Sequence, residues 1–318
     1  LNSISILQST VLQSNIESQT SGRLAVDWAA AIILFFVAIF TIHFIRRAYR
    51  QPKRVGGTTV EVPGNKVKAF DIVQRVFHFS LFAILGLVML SGVAIFAPGS
   101  FNALLQAFGV AGTTASATSI DITWHTDMLW LLLGLIVIHI IWDIAVSRTG
   151  KTIVPGKADV TDTLTRVKGF LGFGPSVQPK HGKYDAFMKM FHWGLGLCLV
   201  ILGITGIYLW NPYGLMPAMS SGFENTMRLL HDIFAFLLIG LVAGHIYFAI
   251  LPVNWPVLRS IFTGTISGET YNHDFDSNRW HTKGSGTPSA AEKTATSTVA
   301  APGKASQALT DTPKGDHN

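Results

Sequence analysis

Residues 231–245 read HDIFAFLLIGLVAGH, and residues 125–139 read HTDMLWLLLGLIVIH. Each is an apolar run closed at both ends by histidine, with 14 residues from ring to ring. At 1.5 Å rise per residue that is about 21 Å of α-helix. Fourteen residues are also close to four whole turns, so both rings leave the same helix face. One helix of this kind offers an imidazole near each end of an apolar slab.

The rest of the chain supports the slab. Five segments, 24–45, 73–96, 122–146, 187–210 and 229–251, are long and apolar enough to cross a bilayer core of about 30 Å. Of the 318 residues, 49% are hydrophobic and only 13% charged, where a soluble domain carries about a quarter charged. Mean hydropathy is +0.39. The net charge of +6 is distributed by loop, so no nucleic-acid partner is expected.

Arg46, Arg47, Arg50, Lys53, Arg54, Lys66 and Lys68 lie between spans one and two. Arg148, Lys151, Lys157, Arg166, Lys168, Lys180 and Lys183 lie between spans three and four. Residues 97–121 carry no Lys or Arg, and residues 211–228 carry only Arg228. This alternation is the positive-inside pattern, and it predicts an outer N-terminus and a cytoplasmic C-terminus. The sequence begins at Leu1, which is expected if a signal peptide was removed or the chain was trimmed.

An internal repeat organises the spans. Phe70-Asp71, Arg75 and Phe77-His78-Phe79 match Tyr184-Asp185, Lys189 and Phe191-His192-Trp193 at an offset of 114. His125, Gly134, Leu135 and His139 match His231, Gly240, Leu241 and His245 at an offset of 106. Spans two and three therefore resemble spans four and five, related by an axis along the membrane normal.

Ionisable side chains within a span are costly and are functional by default. Six histidines fall in the repeated spans: His78, His125, His139, His192, His231 and His245. A single such histidine is as often glue between helices. Six, at repeated spacing and two depths, point to haem. Cys198 is the only cysteine, and no C-x-x-C-H occurs, so iron–sulfur ligation and covalent haem are excluded. The few carboxylates nearby, Asp127, Asp143 and Asp232, do not suggest a bare metal site. His125 and His231 form an outer pair consistent with the axis. The inner four can pair as His78 with His245 and His192 with His139, and the axis alone does not choose the partners. Asp127 and Asp232 are candidates to hold the ring N–H groups of the outer ligands. His43 reads as a snorkelling interfacial residue. His181, His273, His281 and His317 are given no role.

The fold expected is an all-α membrane protein of five transmembrane helices: a four-helix haem-binding bundle plus an extra N-terminal span. Its organisation is a periplasmic segment 1–23, the extra span 24–45, a cytoplasmic linker 46–68, a di-haem cytochrome b domain 69–262 and a cytoplasmic tail 263–318. The Gly, Ser, Thr, Ala and Pro composition beyond about residue 283 predicts disorder.

The run Gly182-Lys183-Tyr184-Asp185-Ala186, with His78, His125 and the pair His231 and His245, resembles the cytochrome b (gamma) subunit of membrane-bound formate dehydrogenases. That branch belongs with the bacterial cytochrome b561 and nickel–iron hydrogenase cytochrome b subunits, and the resemblance spans roughly residues 68–251. It implies two b haems, with His125 and His231 on the outer one and His78 and His245 on the inner one. It implies residence in the bacterial inner membrane, with electrons arriving from a periplasmic molybdenum or tungsten catalytic subunit through an iron–sulfur subunit. They leave to menaquinone or ubiquinone near Tyr184, Asp185 and Lys189. Asp185 stands where the family commonly has Asn, and Phe187 and Met188 replace a usual Gly and Gln. His139 and His192, which the two-haem members lack, are candidates for a third haem; otherwise they hydrogen-bond to a propionate, to quinone or to each other. The chain would itself catalyse at most quinone reduction. The same cytochrome could serve a hydrogenase, a thiosulfate reductase or another molybdopterin enzyme. A haem-free proton-coupled transporter is the reading of a different class; it would show broken helices or a polar pore.

Overall fold

The computed structural model describes residues 2–49, 53–57, 59–97, 114–147, 150–174, 177–211, 214, 217 and 220–281. In lipid no water is present to satisfy peptide groups, so a spanning segment must bond its backbone within itself. The chain does this five times among the described residues, over Gly22–Arg46, Ile72–Phe96, Ile122–Val146, Ala186–Trp210 and Ser221–Ile250. A helix of 25 residues is about 37 Å long, enough for a core of about 30 Å. The first span is part of α1 (Asn2–Tyr49), so the segment expected to precede it continues the same helix. The others are α2 (Ile72–Phe96), α3 (Thr114–Trp142) with a π-helical turn over Asp143–Ser147, then, after the surface helix α4 (Lys157–Leu171), α5 (Ala186–Trp210) and α6 (Ser221–Ile250). Leu34, Ile138, Leu197 and Ile204 point outward and exposed, as lipid permits and water would not.

The repeat has a structural cause at its start. Asp71 caps α2: its Oδ1 accepts from Gln74 N at 2.8 Å, and Gln74 Oε1 accepts from Asp71 N at 3.2 Å. Asp185 caps α5 in the same way, its Oδ1 accepting from Met188 N at 2.7 Å. The aspartate after each aromatic residue therefore satisfies N–H groups that a helix start leaves open.

α2 packs along α3 and α5 along α6, giving two antiparallel hairpins. They meet in an apolar layer of Leu85, Val88, Leu132, Cys198 and Leu238, to which all four helices contribute. α1 lies against α6 through two glycines. A Cβ on Gly240 would fall inside the Phe36 ring, and one on Gly244 would sit 3.1 Å from Phe40. Phe40 also stacks on Tyr247 with centroids 4.9 Å apart, and His43 Nδ1 lies 3.0 Å from the Tyr247 hydroxyl. This is small-residue helix packing as membranes favour it. Gly134, the repeat partner of Gly240, has open space beside it. Only the second hairpin has taken on the extra helix.

On one side of the bundle the connections fold into a cap. Strand β1 (Lys53–Val55) pairs in parallel with β3 (Val177–Pro179). Strand β2 (Lys66–Lys68) pairs antiparallel with β4 (Thr265–Ser267), which follows α7 (Trp255–Thr263). Helix α8 (Gly268–Asp274) then brings Tyr271 and Phe275 onto Val67, Ala69 and Ile266, with Trp280 packed alongside. The Tyr271 hydroxyl donates to the Trp280 carbonyl. The Asn272 side chain closes a two-bond ring with the Val60 peptide, at 3.0 and 2.9 Å. The segment expected as a linker and the first part of the expected tail are thus one folded unit. Strands of three residues carry almost no sequence signal, and aromatic contacts supply the order. Residues beyond 281, where disorder is expected, lie outside the described residues.

A buried ion cluster ties the cap to the bundle. Lys189 Nζ meets Asp159 Oδ2 at 2.8 Å, while Arg279 reaches Asp159 at 3.3 Å and Asp162 at 2.7 Å. Burial works against the Asp159 charge. The bonds from Lys189 and Gly156 N–H, with the Arg279 guanidinium, outweigh it and hold the carboxyl below its usual range.

Gly240→Leu should destabilise the chain in detergent by about 1–3 kcal/mol through overpacking, while Gly134→Leu stays within about 0.5 kcal/mol; thermal melts separate the two. Asp159→Asn should cost about 3 kcal/mol at neutral pH by leaving the buried Lys189 ammonium without its carboxylate, while Arg279 keeps Asp162. A carboxyl lowered on folding contributes stability above its unfolded value of about 3.9 and loses it as pH falls through the folded value. The gap between wild type and Asp159→Asn should therefore be full above about pH 5 and close below about pH 4 in pH-dependent melts.

Candidate functional site

The histidines fall into two layers either side of the Leu85–Leu238 packing. Toward the cap, His78 on α2 faces His245 on α6, with ring centroids 6.2 Å apart and planes at 56°. Two metal–nitrogen bonds of about 2.0–2.1 Å plus two ring radii of roughly 1.1 Å span a similar distance, so one metal ion fits between these rings. The Nδ1 of His78 is buried with no hydrogen-bond partner among the described residues. Phe191 stacks on the face of His245 at 4.7 Å and 13°, fixing that ring.

The repeat places a second aromatic stack beside the corresponding histidine. Phe77 stacks on His139 at 4.0 Å and 15°. His139 lies within electrostatic range of His192, and both lie within range of Asp143 on the π-helical turn. His192 and His139 thus lie on the same side of the bundle, in the positions that correspond under the repeat to His78 and His245.

Away from the cap, His125 on α3 and His231 on α6 lie within electrostatic range of each other. Each is held from the neighbouring helix of its own hairpin. The Ser91 hydroxyl is 2.9 Å from His125 Nδ1, and the Thr205 hydroxyl is 2.9 Å from His231 Nδ1. The next residue in each case is glycine. A Cβ on Gly92 would stand 3.3 Å from Cε1 of His125, and one on Gly206 would stand 3.3 Å from Cε1 of His231. These pairs, Ser91-Gly92 and Thr205-Gly206, obey the offset of 114 and are the sequence signal that marks these positions. Asp127 and Asp232, expected to hold these rings, do not take the bond. The hydroxyls sit one helix across at the right depth, and Asp232 lies within electrostatic range of Arg228.

The donor set suits an iron porphyrin. Imidazoles gather at two depths among apolar side chains, facing each other at His78 and His245, with glycine beside each outer ring. Among the described residues no three His, Cys, Asp or Glu side chains converge as they would on a bare metal ion. A bis-imidazole iron has no open position, which suits electron exchange and not oxygen chemistry.

Tyr184, Asp185 and Lys189 lie together at the cap edge of α5. Asp185 uses Oδ1 to cap the helix and Oδ2 to pair with Arg166 at 2.9 Å. Burial pushes its carboxyl up, but His181, Arg166 and the Met188 N–H prevail and hold it below its usual range. Burial, with Asp143 and Asp71 nearby, pushes the Tyr184 phenol up to about 12. Burial lowers Lys183, whose ammonium sits over Phe70 at 5.1 Å and Tyr184 at 5.4 Å. His181, given no role from sequence, is buried, edge-on to Phe275 at 4.9 Å, and joins the cap through a bridge to that residue.

A curated relative, "Formate dehydrogenase, cytochrome b556 subunit" from Haemophilus influenzae (strain ATCC 51907 / DSM 11121 / KW20 / Rd), is 29% identical over 175 residues, covering 55% of this chain and 67% of the relative. Residues 69–264, the whole four-helix bundle and no part of α1, match the profile described as Prokaryotic cytochrome b561. The chain belongs to the prokaryotic cytochrome b561 family: it is a multi-pass membrane electron-transfer cytochrome of the b-haem type.

Proposed function

We propose that this chain is the membrane subunit of a formate dehydrogenase. It would carry electrons from a periplasmic catalytic subunit of molybdenum or tungsten type, through an iron–sulfur subunit, to quinone at the cytoplasmic side. The observation that carries the reading is the pairing of imidazoles at two depths of one bundle, His125 with His231 and His78 with His245, either side of a dry leucine-rich layer. The named relative supplies the formate link. The basic loops, and the Lys- and Arg-bearing connections that the cap gathers, support a cytoplasmic cap and an outer N-terminus.

His125 and His231 would hold the outer haem b, and His78 and His245 the inner one. When bound, each haem supplies a one-electron couple with no open coordination position. The protein's part is to orient the rings, exclude water and separate the two sites. Leu85, Val88, Leu132 and Leu238 keep the interval dry. Moving an electron inward against the membrane potential costs about 2.3 kcal/mol per 100 mV, so a strong donor is needed.

At the cap, Tyr184 is the quinone contact. A phenol held protonated can donate to a quinone oxygen. Asp185 and Lys189 form the wall beside it through their pairs with Arg166 and Asp159, and do not move protons themselves. The Phe77 stack on His139 favours a second reading of the cofactor count, a third haem held by His139 and His192. Pyridine haemochrome on purified chain decides it: three haems per chain support that site and two exclude it.

Two haems per chain are expected. His125→Ala should remove one, His245→Ala the other, and His192→Ala neither. Tyr184→Phe should slow reoxidation of the reduced chain by a quinone analogue about tenfold, the loss of one hydrogen bond, with haem content unchanged. A colourless wild type, or reoxidation indifferent to Tyr184, would contradict the proposal. Co-purification of an iron–sulfur protein tests the partner.

A further inference from the structure

Ser91 and Thr205 stand at the same place in the two halves of the repeat, and each hydroxyl bridges backbone and ring. Ser91 Oγ lies 3.0 Å from the Val88 carbonyl and 2.9 Å from His125 Nδ1. Thr205 Oγ1 lies 2.8 Å from the Ile201 carbonyl and 2.9 Å from His231 Nδ1. A hydroxyl has one proton, and a carbonyl can only accept. The proton therefore goes to the backbone, and the oxygen accepts from the ring. Nδ1 must carry the hydrogen, which leaves the lone pair on Nε2 in both imidazoles. Gly92 and Gly206 leave space for the rings of His125 on α3 and His231 on α6 beside α2 and α5, which brings these hydroxyls into range. The cap-side layer differs, because Nδ1 of His78 has no hydrogen-bond partner among the described residues.

We propose that Ser91 and Thr205 are positioning residues for the outer haem: they fix both of its imidazoles as Nδ1–H donors and hold its reduction potential below that of the inner haem. The inference rests on the two-haem reading above. An imidazole whose far N–H leans on an acceptor is a more basic ligand, and a more basic ligand favours ferric over ferrous iron. Both outer ligands carry that bond, whereas at the inner pair His78 lacks it. The potential then rises from the outer side to the inner side. This gradient favours inward transfer and offsets part of the work against the membrane potential. Neither residue would have been singled out by hydropathy, since a lone Ser or Thr in a span ordinarily bonds its own helix.

Redox titration of the purified chain, followed in the reduced b-haem band, tests this. His245→Ala, which leaves the outer haem alone, assigns the bands. Ser91→Ala combined with Thr205→Val should raise the outer midpoint by about tenfold in the ferric–ferrous equilibrium, about 59 mV for one electron, with the inner midpoint unmoved. Ser91→Thr with Thr205→Ser keeps both hydroxyls and should restore the wild-type value. If the double variant sheds its outer haem, the single variants Ser91→Ala and Thr205→Val carry the test, each shifting the outer haem part of the way. The proposal is overturned if neither single variant shifts the outer haem. It is equally overturned if the hydroxyl-swapped chain shifts as far as the hydroxyl-free one, or if the wild-type outer haem lies above the inner. A wild type without haem fails the two-haem reading instead and is recognised before any titration.

Discussion

A polar nitrogen inside a bilayer must find a partner within the protein, and this bundle is arranged around that constraint. Each repeated helix pair brings histidines into lipid depth, where an unpaired imidazole is expensive. The Nδ1 atoms of His125 and His231 are satisfied by Ser91 and Thr205. The other nitrogen of each ring then carries the lone pair that a ligand needs. At the cap side, His78 and His245 face each other at 6.2 Å, too far for a hydrogen bond between rings and close to the span of one metal ion between two imidazoles. The ring spacing suits the haem b that family membership implies.

The rest of the structure protects that arrangement. The aspartates Asp71 and Asp185 start the two helices that carry His78 and His192, so the repeat motif sets where each ring enters the membrane. The cap then fixes those starts from outside. Val67 pairs with Ile266 in β2–β4, and His181, its counterpart at the offset of 114, bridges to Phe275. One segment, 265–281, thus grips both halves of the repeat at equivalent points. The cluster of Lys189, Asp159, Arg279 and Asp162 adds a charged tie where water can still reach its edges.

Much of this was legible in the sequence. Hydropathy marked all five spans, because lipid imposes a long-range compositional demand. The two offsets exposed the repeat and sorted the histidines by depth. What stayed hidden depended on contacts between distant segments. Strands of three residues such as 66–68 and 265–267 have no periodicity to read, so the cap looked like a linker and a tail. Tyr271, Phe275 and Trp280 were the available hint, an aromatic cluster in an otherwise polar stretch. Asp185 looked like a quinone ligand, yet both of its oxygens are taken by Met188 N–H and Arg166. Gly240 was visible as a repeated glycine, but only Phe36 across the interface explains why it differs from Gly134. Ser91 and Thr205 were hidden because a hydroxyl in a helix is commonplace and only its distance to a ring gives it meaning.

Low-temperature electron paramagnetic resonance of the oxidised, purified chain tests the central claim most directly, because it reports what stands on both sides of the iron. Two low-spin ferric signals from bis-imidazole centres are expected, with no high-spin signal. A high-spin spectrum, or a chain that carries no iron, would contradict the paired-histidine site.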